Sequence, residues 1–429
     1  MLHRLHNTIR LSSLIRAAGL AGVLASAAAL ALPGAAVAKH HPRALTPQQT
    51  TYLNLATQGV GQTSAWWNKK AGWYNALLTN NAAHPLASIW DSVPLFETLD
   101  EIATASPTSA HIAAVKSFAN FAEKYWNPDL KPGPGFGPYP GDRTANQETW
   151  FDDNGWWGVA FMDAYHATNT KAYLYQAENA FHFIQTEGWD TKAGGMWWTT
   201  THAQGCGTKG NECPPWHSGE ALGADTELAA RLYQATRDPY YLDWAETMIA
   251  WANANILNAQ GYYSLKDPGD AGLGATLQAN GQMPHDGEGA MVAALVTLCQ
   301  ADPVDAFWCT DAEHLGTQEI KYLPNATRDP SSDALNDGPQ YDAILLRGML
   351  SLYSYEQASS TGDARAIYTF VTDNASRIIA SPANSGRYPD AWNGSASIPG
   401  WPTDTTGQLQ TQAANINVFA ALSTVAPPS

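Results

Sequence analysis

The chain is 429 residues long, 45% hydrophobic and only 14% charged, and its net charge of −16 argues against a nucleic-acid partner, whose phosphates it would repel. Beyond residue 38 no stretch is long and apolar enough to read as a membrane span. Nothing linker-like in composition interrupts residues 39–429, which read as a single domain.

Residues 1–38 read as a secretory signal peptide. Arg4, Arg10 and Arg16 give a basic start, an apolar run follows from Ala17 to Leu32, and Ala36-Val37-Ala38 supplies small residues for cleavage. The expectation is a secreted protein cut near Ala38, acting as a monomer. Export suits disulfides, and two local bridges are expected, Cys206 with Cys213 and Cys299 with Cys309, although spacing does not by itself fix connectivity. Neither pair has the Cys-x-x-Cys spacing of a zinc site, and no metal or other cofactor is implied.

From Leu45 onward apolar residues recur with a period near 3.6, as in Ile112, Val115, Ala119, Ala122 and Trp126. The pattern predicts an all-α protein of twelve helices, at roughly 46–66, 88–105, 107–126, 152–168, 170–187, 218–236, 238–257, 285–300, 303–319, 339–358, 362–380 and 409–425. A phrase running from Asp163 to Leu174 returns between Arg231 and Leu242, displaced by 68 residues, with a fainter echo from Leu352 to Asp363. Each copy reads as a helix end, a tight turn and a helix start, so the repeating unit is a helical hairpin. Connections after even-numbered helices are short, and those after odd-numbered helices are long. Alternation puts every long loop at one end of the array, together with the N-termini of the even helices. Six such hairpins closed into a ring give a double toroid with its cleft at that end.

At the cleft end, Thr149-Trp-Phe-Asp-Asp-Asn-Gly-Trp-Trp157 sets two carboxylates among aromatic residues. Aspartates at a helix start are commonly caps, but a capping carboxylate is also one held ionised by the helix dipole, as a nucleophile must be. Asp152 and Asp153 diverge by about 100° on a helix and could face one cleft about 5 to 5.5 Å apart, the separation at which one attacks an anomeric carbon and the other protonates the leaving oxygen. The long loops mix Trp with Asp, Asn and Gln, and with Phe136, Tyr139, Trp189, Trp216, Tyr262, Tyr263, Trp392 and Trp401 they suit the C–H faces and hydroxyl rims of a carbohydrate chain. Other cleft-facing helix starts add Trp90 with Asp91, His217 with Glu220, His285, Asp286 and Glu288, and Tyr341 with Asp342. His285-Asp-Gly-Glu288 could serve substrate binding, an inverting mechanism or a calcium ion, yet lacks the ligand spacing of a known calcium loop.

Asp152-Asp-Asn-Gly-Trp-Trp157, followed by Asp163-Ala-Tyr, Gly188-Trp-Asp190, Gly194-Gly-Met-Trp-Trp198 and Leu228-Ala-Ala-Arg-Leu-Tyr233, resembles glycoside hydrolase family 76. The resemblance implies an (α/α)6 barrel and a retaining endo-α-1,6-mannanase, with Asp152 as nucleophile and Asp153 as acid/base. The substrate expected is a mannan or mannose-rich oligosaccharide, contacted by Trp90, Asp91, Asn154, Trp156, Trp197, Trp198, His285, Asp286, Glu288 and Tyr341. Three segments depart from the family pattern, around Glu220–Asp225, Pro284–Gly289 and Gln340–Asp342, so an altered glycan is a live possibility. The rival readings are a carbohydrate-binding protein on the same barrel without turnover, and a toroid glycosidase or lyase acting on another polysaccharide through Asp286 or Glu288.

Overall fold

In a computed structural model the residues described are 44–79, 84–201, 204–205, 212–213, 217–259, 261, 263, 285–302, 307–322, 328–329, 334–335, 337–360, 362–380, 387–392 and 407–429. The expected signal peptide, the Cys206–Cys213 bridge, and the loop aromatics Trp216, Tyr262 and Trp401 lie outside them. The other expected bridge, Cys299–Cys309, is formed. Ala44–Ser429 is a compact unit, and no helix among the described residues is long and apolar enough to cross a membrane.

Twelve α-helices occur among the described residues: α1 (Pro47–Gln62), α2 (Ile89–Ala105), α3 (Ser109–Ala122), α4 (Phe151–Thr168), α5 (Lys171–Phe183), α6 (Gly219–Thr236), α7 (Pro239–Asn255), α8 (Asp286–Ala301), α9 (Phe307–Tyr322), α10 (Pro339–Ser359), α11 (Ala364–Ala380) and α12 (Leu409–Thr424). Each even helix packs on the next, from α2 through α4, α6, α8 and α10 to α12, and α12 closes on α2. The odd helices pack outside this inner ring. This is an (α/α)6 barrel, and the expected alternation of loops holds: the connections after α2, α4 and α6 are two or three residues, while those after α1, α3 and α5 exceed twenty.

The repeated phrases mark a shared way of ending an inner helix. Asn169, Arg237 and Ser360 stand just past α4, α6 and α10 with φ of 52°, 60° and 59°. Their N–H groups donate back to Tyr165, Tyr233 and Glu356, closing the last turn before the outer helix begins. The outer helices α1, α3 and α5 end sooner than their apolar period predicts. The chain leaves α1 and α3 through 3-10 turns (Thr63–Trp66, Glu123–Tyr125) and α5 through a π turn (Ile184–Gly188), and short hairpins follow the first two at Trp67–Tyr74 and Trp126–Phe136.

Inner helices are enclosed on all sides, so α12 buries every residue from Leu409 to Ser423. Glycines thin the seams between them: a Cβ on Gly223 of α6 would stand 2.6 Å from the Gly287 carbonyl of α8, and Gly289 of α8 meets Gly348 of α10 the same way. Thinning these seams draws the starts of α6, α8 and α10 toward one another.

Away from the helix starts, the ring interior holds an ionic cluster. Arg347 of α10 donates to Glu97 and to Glu101 of α2 (3.0 Å) and Asp163 of α4 (3.0 Å), while Arg231 of α6 donates to Asp163 (2.6 Å) and Glu227 (2.8 Å). Four inner helices are thus tied by two guanidinium groups. A cavity of about 230 Å³ opens beside this cluster.

Candidate active site

The site is built from the starts of the even helices and the long loops above them. Trp150 precedes α4 in extended conformation and offers no capping side chain. The turn is instead capped from within: the Asp153 N–H donates to Asp152 Oδ1 at 2.9 Å. The second Asp152 oxygen, Oδ2, accepts from the indole Nε1–H of Trp198 at 3.0 Å.

Trp198 arrives there because its segment lies along the approach to α4. Phe151 N–H donates to the Trp198 carbonyl (3.0 Å), Thr200 N–H donates to the Thr149 carbonyl (2.9 Å), and Trp150 pairs with Thr199. Gly194 and Gly195 make the turn that starts this segment, with φ of 74° and 93°; a Cβ on Gly195 would strike Trp251 and His217. The two motifs, some forty residues apart in sequence, are one hydrogen-bonded unit. Trp197 in the same segment stacks on His217 with ring centroids 4.2 Å apart, and His217 Nε2 lies 3.3 Å from Asp190 Oδ2.

Burial dominates the electrostatics. Asp152 is pushed up to about 7 by burial and by the charge of Asp286, against the hydrogen bonds from Trp198, the Asp153 N–H and Glu220. Asp153 is held well above the ordinary range by burial and then by Asp152 and Asp91. No group among the described residues donates to its carboxyl. Of the pair, Asp152 ionises first and Asp153 keeps its proton, so one environment separates a carboxylate from a carboxylic acid.

Glu220 at the start of α6 is raised well above its usual value by burial and then by the charges of Asp286 and Asp152. Asp286 takes its own helix's Gly287 N–H at 2.9 Å. His285 donates from Nδ1 to Asp342 Oδ1 at 2.7 Å and from its backbone N–H to Asp337 at 3.0 Å. Burial would lower His285, but Asp342, Asp337 and Glu319 outweigh it and raise the imidazole to about 9. Half-buried Tyr341 stands 5.7 Å from Trp90, ring to ring, within the field of Glu220, Asp286, Asp337 and Asp152. Among the described residues no three acids, histidines or cysteines are grouped to hold a metal ion.

The expected residues thus separate by placement. Asp152, Asp153, Trp198, Asp286 and Tyr341 share one field, and Trp90 flanks it. Glu288 is buried, and raised first by burial and then by Glu319 of α9. Asn154 stands behind the cleft: its amide accepts from Phe136 N–H and donates to the Phe136 and Trp150 carbonyls, each at 3.0 Å, anchoring the Gly135–Phe136 strand. Trp156 is wholly buried behind Trp90. Asp91 closes a capping box, its Oδ2 accepting from Ser88 N–H and Oγ–H at 2.8 Å each. Trp73, in the Trp67–Tyr74 hairpin, and Trp392, in the loop before α12, pack in the core, Trp73 stacked 4.0 Å from Phe121.

Three acids near the site carry no motif. Asp337 lies in the loop before α10, Glu319 on outer helix α9, and Asp225 is fully buried under Gly155. Only the close α4–α6 approach brings Asp225 beneath Asp152, and no spacing in sequence announces it.

The profile of the family described as Glycosyl hydrolase family 76 matches residues 131–427. The chain belongs to this family. As a family-76 protein it is a glycoside hydrolase. The fold is shared with an α-mannanase of Bacteroides thetaiotaomicron (TM-score 0.70, 20% identity, 87% of this chain and 95% of that one). It is shared too with an α-1,6-mannanase of Salegentibacter sp. (TM-score 0.64, 17% identity, 86% and 98%). An inactive variant of the latter, with two consecutive aspartates replaced, has been solved with α-1,6-mannotetrose. The meiotically up-regulated gene 191 protein of Schizosaccharomyces pombe is 24% identical over 276 residues, and the match spans 61% of this chain and 56% of that protein.

Proposed function

We propose that this family-76 enzyme is an exported, endo-acting, retaining glycosidase that cleaves α-1,6-mannosidic linkages in a mannan or mannose-rich glycan. The observation that carries the reading is the asymmetry of the aspartate pair: Asp152 receives donors on both oxygens, and Asp153 receives none among the described residues. In the first step the Asp152 carboxylate attacks C1 while the Asp153 carboxyl gives its proton to the departing glycosidic oxygen. A glycosyl ester on Asp152 results. In the second, Asp153 takes a proton from water as its oxygen attacks C1, and Asp152 leaves as the carboxylate, so the two inversions give net retention. That structural neighbours are an α-mannanase and an α-1,6-mannanase supports the linkage, and the basic and apolar stretch at residues 1–38 supports export.

The test is hydrolysis of α-1,6-mannan and α-1,6-mannooligosaccharides by wild type, Asp152→Asn and Asp153→Asn, with proton NMR of the first-formed anomer. Both variants should lose turnover of the natural glycan while keeping the helical circular dichroism of wild type, and the first product should be the α-anomer. Full activity in both, or a β-anomer first, would overturn the reading. Binding without released reducing ends in wild type would favour a carbohydrate-binding role instead.

A further inference from the structure

A cavity of about 350 Å³ opens between two of the long cleft-end loops, the one before α2 and the one before α4. His84 and Leu86 line it from the first loop and Tyr139 and Asp142 from the second, together with Pro85 and Pro140. Small-molecule pockets run from roughly 300 to 1,000 Å³, so the space suits a single small unit. The His84 imidazole stacks on the Tyr139 ring with centroids 3.9 Å apart and planes 16° from parallel. Asp142 Oδ1 accepts from the Thr144 N–H at 2.8 Å, which holds the carboxylate in place. Main-chain bonds fix the walls: the Pro85 carbonyl accepts from Ala76 N–H (2.9 Å), the Pro138 carbonyl from Ile89 N–H (3.1 Å) and the Lys124 carbonyl from Gly141 N–H (2.8 Å). A stacked aromatic pair beside a fixed carboxylate offers a ring surface and an acceptor together, the two things a sugar unit needs.

Positions along α4 decide on which side of the reacting pair this cavity lies. Residues three or four apart share a helix face. Asp152 stands three before Gly155, where a Cβ would meet Asp225 and Ala224 of α6, and its Oδ2 is held by Trp198 from the loop before α6. Asp153 stands three before Trp156 and four before Trp157, whose rings lie 6.5 Å from Trp90 and 5.5 Å from Phe96 of α2. The nucleophile therefore leans toward α6 and the acid toward α2. The cavity is on the acid's side. Its second loop is bonded to Ile89 at the start of α2, and Phe136 in the same loop is bonded to the side chain of Asn154, the residue after Asp153. Tyr139 follows Phe136 by three residues, within about 11 Å along the chain. In double displacement the glycosidic oxygen departs on the side of the acid that protonates it.

We infer that the His84–Tyr139 cavity is a leaving-side sugar subsite: it takes a mannosyl unit from the reducing side of the scissile bond, with the stacked rings against the sugar's C–H surface and Asp142 accepting from its hydroxyls. The inference rests on the reading of Asp152 as nucleophile and Asp153 as acid/base. The departing fragment vacates this cavity after the first step, and a second sugar that enters it can replace water in the next. Asp153 then takes the proton of the incoming hydroxyl as that oxygen bonds to C1, and Asp152 leaves as the carboxylate, so the ester is converted to a longer oligosaccharide.

The test uses α-1,6-mannobiosyl fluoride as donor, whose fluoride places no sugar on the leaving side, and α-1,6-mannobiose as acceptor. Wild type should hydrolyse the fluoride and, with acceptor added, form mannotetraose. In Tyr139→Ala and in His84→Ala the acceptor concentration for half-maximal transfer should rise roughly tenfold, while the donor KM moves far less. Tyr139→Phe keeps the ring and should bring the acceptor midpoint back near wild type. A donor KM that rises as much as the acceptor midpoint, an acceptor midpoint unmoved in both alanine variants, or wild-type turnover without transfer overturns the inference. Normal turnover and transfer in both alanine variants would sink the subsite alone. Failure of wild type to turn over either the fluoride or α-1,6-mannan would sink the mannanase reading and the subsite with it.

Discussion

The Trp198 indole N–H donates to Asp152 Oδ2 at 3.0 Å, from a segment laid antiparallel along the approach to α4. Trp198→Phe retains the ring and deletes the donor. With one stabilising bond to the carboxylate gone, the Asp152 pKa should climb from about 7 and the acid limb of the rate profile should shift to higher pH. A hydrogen bond to a charged group contributes about 1.5–3 kcal/mol, which corresponds to a loss of roughly 10- to 100-fold in kcat/KM near pH 6. Activity should recover in part above pH 8. Steady-state rates from pH 4 to 9 read both the loss and its recovery, and a pH-independent loss would mean that Trp198 acts only by packing.

The proton retained by Asp153 gives a second expectation. Asp153→Asn removes the acid that protonates the leaving oxygen, which matters most for a poor leaving group such as another sugar. An aryl α-mannoside with a phenol of low pKa needs no such help, so its first step should survive in this variant and an ester on Asp152 should accumulate. Intact-protein mass spectrometry should then show one added mannosyl unit, together with a burst of released phenol. Added azide, which needs no general base, should restore turnover as glycosyl azide. Absence of both the adduct and azide rescue would remove Asp153 from the acid/base role.

Much of this architecture could be read directly from residue order. The 68-residue displacement of the Asp163 and Arg231 phrases marks hairpins whose inner helices share one left-handed closing residue, and strict alternation of loop length locates the cleft end. Local period and turn chemistry carry that information. What they do not carry is which polar side chain faces a neighbouring helix. Asn154 lies within the motif yet is engaged by Phe136 and Trp150 backbone, and Asp91 looks like a cleft acid yet caps α2. The loop aromatics mislead in the same way, because Trp392 belongs to a long loop in sequence and to the core in space. Conversely, Asp225 and Asp337 reach the site only through helix packing set by glycine seams.

The same burial that prepares the site sets how stability depends on pH. Burial raises Glu97 to about 7, Glu319 to about 7 and Asp337 to about 8, above their ordinary values of 4.5, 4.5 and 3.8. Between the ordinary and the raised value the folded chain holds protons that the unfolded chain has lost. Stability from these groups is therefore full below pH 4 and is lost progressively as pH rises through 7 to 8. Most other clearly shifted carboxyls point the same way, including Asp152 and Asp286; the lowered Asp142 and Asp190 are more solvent-accessible. The melting temperature should thus be higher at pH 5 than at pH 8, by roughly 5 °C or more for a chain of this size. Calorimetric scans across that range decide it, and a flat or rising profile would show that the ring acids are ionised at little cost. Glu319→Gln, which cannot ionise, should flatten part of the slope.

Arg347 separates stability from chemistry most cleanly. It stands with Asp163, which lies eleven residues along α4 from Asp152, or about 16 Å by helical rise, so it touches neither substrate nor the catalytic pair. Its guanidinium bonds Glu97, Glu101 and Asp163, bringing together α2, α4 and α10. Arg347→Met fills similar volume without charge and leaves three acids, two of them on adjacent turns of α2, without their common cation. Breaking a buried pair in this way costs about 3–5 kcal/mol, because the stranded carboxylates must stay desolvated or take up protons. The loss should be smaller at pH 5 than at pH 8, since protonation of Glu97 and Glu101 relieves the repulsion within the cluster. Urea unfolding at both pH values measures this, while kcat/KM per folded molecule should stay within about twofold of wild type. An equal loss at both pH values would mean that Arg347 contributes by packing, and intact stability at pH 8 would mean that the ring does not depend on the ionic cluster for closure.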